Sequence, residues 1–262
     1  MKQLMNTLYI TNDNVSAKVK RQAFEFQTGD ENSIVHIPFH EIEKILVFGK
    51  ADFDESMYSK CAELGIGLYF LTAGGKLRYR IAGRTKGNVL VRKRQYILSE
   101  HNEGVIIVSA MISGKIRNSI NLIRRFVGNH PEIEDIKVQN ALKKLDGINQ
   151  KVILCGDIDE LRGLEGSAGH IYYDIFDKLI LVPDERMHFN GRNRRPPKDC
   201  CNALLSYVYT MLMVDCISAI ESSGLDPYVG FMHADRSGKP SLALDMMEEM
   251  RPALADKFVL KL

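Results

Sequence analysis

Near Gly83 the chain changes its hydrophobic period, and that change restricts the possible folds more than any other feature of its 262 residues. Before it, apolar residues come in short runs, at 8–11, at 17–28 with a break near the middle, at 33–38, 44–48 and 66–71. Turn-forming clusters, Asn12-Asp13-Asn14 and Gly29-Asp30-Glu31-Asn32, separate the first of these, which predicts strands. Glu55–Leu64 reads as a short helix, and Gly74-Gly75 as the turn of a hairpin into Leu77–Ile81. From Val89 onward apolar residues recur at helical spacing, through 105–127, 133–145, 161–179, 203–220 and 242–260. The pattern predicts an α+β chain: a β-rich unit over 1–85, then a mostly α-helical unit over 86–262, joined through the polar stretch around Gly87-Asn88.

A hydrophobic content of 45% is enough to bury a core in each unit and excludes a disordered chain. Residues 203–220 are apolar enough to raise a membrane span, but Ser206, Thr210, Asp215 and Ser218 interrupt them, which favours a buried core helix. The amino terminus lacks a signal-peptide pattern, and the five cysteines form no CxxC pair. Reduced thiols, a cytoplasmic location and no membrane association are the expectation.

Chemistry-bearing residues concentrate late in the chain. Ser241 is a candidate N-cap for the helix that follows, on which Asp245, Glu248 and Glu249 stand at i, i+3 and i+4 and share one face. Taken alone, such a face also suits complementation of the helix dipole. Just upstream, Tyr228-Val-Gly-Phe-Met-His233 reads as an apolar, strand-like approach ending in a histidine, which could equally be a core or capping residue. Glu165, in Leu161-Arg-Gly-Leu-Glu-Gly-Ser-Ala-Gly-His170, fits a surface carboxylate as well as a ligand, and spacing alone does not bring it to the other two. If the three meet, two carboxylates and an imidazole need a compensating cation, and such an O,O,N set with open positions suits Mg2+ or Mn2+ better than structural zinc.

The net charge of +2 hides strong local asymmetry. Lys76, Arg78, Arg80, Arg84, Lys86, Arg92, Lys93 and Arg94 lie in nineteen positions with no acidic residue among them. A second run, Arg192, Arg194, Arg195 and Lys198, sits in a loop with Gly191 and Pro196-Pro197, and Lys115, Arg117, Arg124 and Arg125 form a third at helical spacing. Arg236 and Lys239 flank the histidine turn. These cations suit nucleic-acid phosphates as well as a solvated face, and no base-reading motif accompanies them, so backbone and shape should lead any binding.

Four phrases taken together carry a resemblance: Gly163-Leu-Glu-Gly-Ser-Ala-Gly-His-Ile-Tyr-Tyr173, Asn190-Gly-Arg-Asn-Arg-Arg-Pro-Pro197, Gly230-Phe-Met-His233 and Pro240-Ser-Leu-Ala-Leu-Asp-Met-Met-Glu-Glu-Met-Arg-Pro252. In this order they resemble the CRISPR-associated adaptation integrase, the "Cas-one" family. Ile37-Pro-Phe-His-Glu-Ile-Glu-Lys-Ile-Leu-Val-Phe-Gly49 and Gly65-Ile-Gly-Leu-Tyr-Phe-Leu-Thr72 resemble the same family, and the wording is closest to members from type I systems. The likeness spans nearly the whole chain.

The resemblance implies an N-terminal β-sandwich-like domain, a helical catalytic domain, a homodimer, and a small adaptation partner, "Cas-two". It implies Glu165, His233 and Glu248 as catalytic metal ligands, with Asp245 an auxiliary carboxylate. It further implies double-stranded DNA, as spacer fragments and CRISPR repeat, with fragments inserted by 3′-hydroxyl transesterification. Arg192, Arg194, Arg195, Lys198, Arg236 and Lys239 are the expected DNA contacts. Family members usually continue with further helices, so Lys257-Phe-Val-Leu-Lys-Leu262 is read as the middle of a helix and the chain as shortened at its carboxyl end. A branched-DNA nuclease without an integration role and a non-catalytic DNA-binding scaffold are the alternatives.

Overall fold

The computed structural model describes residues 1–29, 33–81, 83, 89–100, 102–182, 184–193 and 196–262, in two compact units, Met1–Lys86 and Gly87–Leu262. Arg84, Lys86, Gly87-Asn88, Arg194 and Arg195 fall outside the described residues.

Among the described residues of the first unit nine strands form two sheets: β1 (Lys2–Leu4), β2 (Thr7–Ile10), β3 (Val15–Lys20), β4 (Ala23–Thr28), β5 (Ile34–Pro38), β6 (Lys44–Val47), β7 (Ala51–Phe53), β8 (Gly67–Leu71) and β9 (Leu77–Ile81). One sheet has the order β1-β2-β6-β8-β9, with β2-β6-β8 parallel, and the other β5-β4-β3-β7. The parallel strands β6 and β8 are continuously apolar and buried over Ile45–Val47 and Leu68–Leu71, as strands covered on both faces require. β3 instead alternates, with Val15 and Ala17 buried and Ser16 and Lys18 exposed. Residues of both sheets share one core, Leu8, Ile10, Phe24, Phe26, Ile45 and Leu68 among them, together with Met57 and Cys61 of α1 (Glu55–Leu64). Asp54 caps that helix by accepting from the Met57 amide at 3.0 Å, and Gly65, at φ 76°, ends it in the left-handed conformation that glycine adopts without strain. The break expected within 17–28 is the turn at Arg21, which has φ 56°.

The second unit is helical: α2 (Val89–Glu100), α3 (Val105–Asn129), α4 (Ile136–Leu154), α5 (Ile158–Asp174), α6 (Cys200–Ser222), α7 (Ser241–Met250) and the short α8 (Lys257–Val259). α3 is the axis of the unit; its stripe of Val108, Ile112, Ile116, Ile120 and Ile123 is buried where α4, α5 and α7 pack around it. Asp135, Asp157 and Asp199 each cap the helix that follows by accepting an amide hydrogen bond, at 2.9, 2.8 and 2.7 Å. α6 is long and apolar enough to cross a membrane by length and composition, yet it packs on α7 and the segment after it, and Asn202, Ser206, Tyr209 and Thr210 on it make side-chain hydrogen bonds.

Three expectations are corrected here. Ser241 does not cap α7: its hydroxyl donates to the Ala234 carbonyl at 3.2 Å, and Pro240 stands at the cap position. The approach to His233 is a compact loop rather than a strand, because its amides are taken up by a carboxylate instead of a neighbouring strand. The helix expected over 242–260 opens into a π-helical turn at Arg251–Asp256, beginning where Pro252 has no amide hydrogen to donate to the preceding turn. All five cysteines are free thiols.

Candidate functional site

Asp245 organises the site. It is fully buried, and its carboxylate accepts amide hydrogens from Phe231 (2.6 Å), Met232 (3.0 Å) and His233 (3.0 Å). It also lies 2.6 Å from the His233 Nδ1. An ionised carboxylate only accepts, so Nδ1 is the donor in this pair, and in the neutral ring that leaves the lone pair on Nε2. Gly230 makes this wrap possible: a Cβ there would come within 2.8 Å of both the Asp245 carboxylate and the Ser241 Cβ. Asp245 thus fixes the histidine loop and orients its ring.

One turn later on α7, Glu248 is only 3% exposed. Its Oε1 is 2.6 Å from Arg251 Nη1, and its Oε2 is 2.7 Å from Lys115 Nζ, without the alignment of a hydrogen bond. Lys115, from α3, also bonds Glu165 of α5, so one ammonium links carboxylates from two different helices. Burial works against the charge on Lys115, but Glu248 and Glu165 more than offset it and raise its pKa above the ordinary lysine value. Burial likewise pushes Glu248 toward protonation, and Lys115 and Arg251 overcome this to hold it below the usual glutamate value.

The connection between Glu165 and the histidine loop is Arg162, one turn earlier on α5, whose Nε donates to the Met232 carbonyl at 2.7 Å. His233 in turn acts electrostatically on Glu248. Glu165, Glu248 and His233 therefore border one locality of α3, α5 and α7. Among the described residues no three His, Cys, Asp or Glu side chains form a ready-made metal cage.

Around Tyr209 the site has a second layer. Arg251 lies over one approach to its ring at 4.9 Å and Arg192 over another at 5.3 Å. Its hydroxyl donates at 2.5 Å to Asp256, which also accepts from Tyr172 at 2.9 Å. Asp256 is fully enclosed, and burial raises its pKa to about 6.

The expected DNA contacts separate. Lys198 and Arg236 are exposed and Lys239 half-buried. Arg192 instead turns inward, donating to the Asn193 carbonyl, the Asn202 Oδ1 and the Ser206 hydroxyl at 2.6, 2.7 and 3.2 Å. Its bonds hold the loop in shape, and Lys198 and Arg186 line an open groove of about 710 Å³ beside it. Sequence reasoning counted Lys115 among surface cations and missed its partners; its place on the same α3 stripe as Ile112 and Ser119 was the available signal.

Comparison with known proteins gives the class and then the family. A CAS1 protein from Thermotoga maritima superposes with a TM-score of 0.82 at 25% identity, covering 98% of this chain and 78% of that one. A casposase bound to integration product has the same fold, with a TM-score of 0.80 at 23% identity over 98% of this chain and 72% of that one. A CRISPR-associated endonuclease Cas1 of Rhodospirillum rubrum is 40% identical across the whole chain and 77% of its own length. A second, from Chlorobaculum tepidum, is 38% identical with the same coverage. The family model described as CRISPR associated protein Cas1 matches residues 8–262, and the chain belongs to that family.

Proposed function

We propose that the chain is a metal-dependent DNA endonuclease and integrase that inserts short foreign DNA fragments into a CRISPR array by 3′-hydroxyl transesterification at repeat ends. The observation that carries this reading is the convergence of Glu165 and Glu248, from separate helices, on a single cationic group beside a histidine whose ring is fixed by Asp245. Relatives at 40% and 38% identity bear the name endonuclease, which supports phosphodiester chemistry as the reaction class.

The residues present fit a hard divalent ion. Glu248 Oε2 is buried with the Lys115 ammonium 2.7 Å away, so it is an acceptor that a cation already attends, and the donor set is two carboxylates and one imidazole nitrogen. Glu165, His233 and Glu248 would hold Mg2+ or Mn2+, which when bound supplies charge stabilisation at the reacting phosphate and activation of the attacking hydroxyl. Asp245 keeps the His233 Nε2 available by holding the proton on Nδ1. Arg251 retains Glu248 Oε1 at 2.6 Å and so restricts its carboxylate to one orientation. Lys198, Arg236 and Lys239, with Arg194 and Arg195 beyond the described residues, offer the phosphate contacts. A water molecule in place of the 3′-hydroxyl would make the same site a nuclease.

Double-stranded DNA, a second copy of the chain and the small Cas2 protein are the proposed partners, in the cytoplasm. A fold neighbour with a TM-score of 0.76 was solved in a Cas6-RT-Cas1–Cas2 complex, which supports the Cas2 assignment at the level of the fold. The test is transfer of a labelled 3′-hydroxyl duplex into a repeat-bearing plasmid with Cas2 and Mn2+ present. Wild type should join the label and His233→Ala should not. Equal joining by both would remove His233 from the reaction, and DNA binding without joining by either would make the chain a scaffold.

A further inference from the structure

We propose that Lys115 is the resident counter-cation of the catalytic carboxylates, and that a divalent ion binds by displacing its ammonium group from between Glu165 and Glu248. This rests on the metal-site reading above and assigns a role to a residue outside the ligand set.

The placement of Lys115 is built into helix packing. Its predecessor Gly114 has no side chain, and a Cβ there would come within 2.8 Å of Glu249 Oε2 and 3.3 Å of Glu249 Cβ. That absence lets α3 and α7 approach closely. Asn118, one turn further along α3, donates to the Glu249 carbonyl at 2.7 Å and fixes the two helices at this level. The lysine stem is thereby carried to a position where its head reaches Glu165 and, at 2.7 Å, Glu248 Oε2. Its side chain is only 12% exposed, so water does little to screen the contact.

Charge balance then decides what happens when metal enters. A divalent ion on these oxygens would sit beside the Lys115 ammonium, 2.7 Å from Glu248 Oε2, and two cations sharing one buried carboxylate repel each other strongly in a poorly solvated place. One cation has to leave. Arg251 is bound to Glu248 Oε1 and stacked against Tyr209 at 4.9 Å, in a rigid planar arrangement. Lys115 contacts the carboxylates with a point charge on a flexible four-carbon stem, and it shares the Oε2 atom that a metal would use. It is the exchangeable cation of the two.

Mn2+ titration of the full chain by calorimetry, for wild type, Lys115→Met, Lys115→Gln and His233→Ala, tests this. Both Lys115 variants should bind Mn2+ at least about tenfold more tightly than wild type, because the competing charge is gone. In EDTA they should melt below wild type, and added Mn2+ should raise their melting temperature more than it raises that of wild type. Circular dichroism in Mn2+ checks that they are folded, and the glutamine variant, which keeps a polar head, serves if the methionine one is not. Binding no tighter than wild type in a folded Lys115 variant, with binding still lost in His233→Ala, overturns the displacement proposal and leaves the metal site standing. Absence of His233-dependent Mn2+ binding in every protein overturns the metal reading and this inference with it.

Discussion

The two units differ in what they enclose. Among the described residues of the first, the only buried side chain outside the apolar class is Glu25, which lies at the sheet surface against Lys18 and Lys20, at 3.0 and 2.6 Å. The second buries Asp245, Glu248, Arg251 and Asp256 and nearly buries Lys115. An apolar core spreads its stabilisation over many interchangeable contacts, each worth little and nearly additive. A charged interior concentrates it in a few groups that depend on one another, and buried ion pairs are poor stabilisers compared with well-packed apolar residues. Such an arrangement is retained where chemistry uses it, and perturbed titration marks the same locality.

The sharpest way to separate the two interiors is through activity. Glu165→Ala should lower the rate of strand transfer at least ~10³-fold, about 4 kcal/mol of transition-state stabilisation, while DNA affinity measured by anisotropy stays near wild type. Full strand transfer in the variant would take Glu165 out of the site. Next come two substitutions of similar size and different logic. Phe24→Ala in the first unit and Glu248→Ala in the second should each cost about 3–5 kcal/mol in denaturant midpoint, the one by a cavity and the other by stranding Lys115 and Arg251. Phe24→Ala combined with Leu8→Ala, both in the first unit's core, should come close to additive, whereas Glu248→Ala combined with Lys115→Met should cost clearly less than the sum of the two. Additivity in both cycles would erase the contrast.

A smaller effect is read against pH. Asp256 goes from an ordinary value of 3.8 to about 6 on folding, so the folded state holds its proton more tightly than the unfolded chain. Stability from this group is present below the unfolded value and declines as pH rises through about 6, by about 3 kcal/mol in all. Asp256→Asn should remove that decline, so the stability gap between variant and wild type should move in the variant's favour across this window; a gap independent of pH would contradict the assignment. The smallest effect belongs to the surface: Lys198→Ala should lower the slope of log affinity against log salt by about one, with a modest loss of affinity common to all DNA sequences. An unchanged slope would clear Lys198 of phosphate contact.

Much of this was legible in the residues because local chemistry and tertiary structure agree. The hairpin into β9 and the limits of α1 follow from Gly74-Gly75 and from Asp54 and Gly65. β1 was not legible, since all three of its residues are exposed and show no alternation, and β7 is as short. In the site, the shared face of Asp245 and Glu248 follows from helical spacing alone. Glu165 came only through family resemblance, because what brings it to the histidine loop is the bond from Arg162 to a main-chain carbonyl seventy residues away, which no local pattern encodes. Lys115 and Arg192 were misplaced for a common reason. A charge pattern shows where cations are dense, and only packing shows which of them turn inward.

The π-helical turn at Arg251–Asp256 bears on how a gene for this chain can vary. Such a turn accommodates a residue more than an α-helical one, so its geometry depends on the number of residues between Glu248 and Asp256 as much as on their identity. Loss of a single codon there would rotate everything downstream by about 100° around the helix axis and swing Asp256 away from Tyr172 and Tyr209. Replacement of the exposed Leu254 in the same turn would leave the count intact. Inheritance should therefore tolerate substitution in this segment and reject changes of length, a constraint of arithmetic rather than of side-chain chemistry.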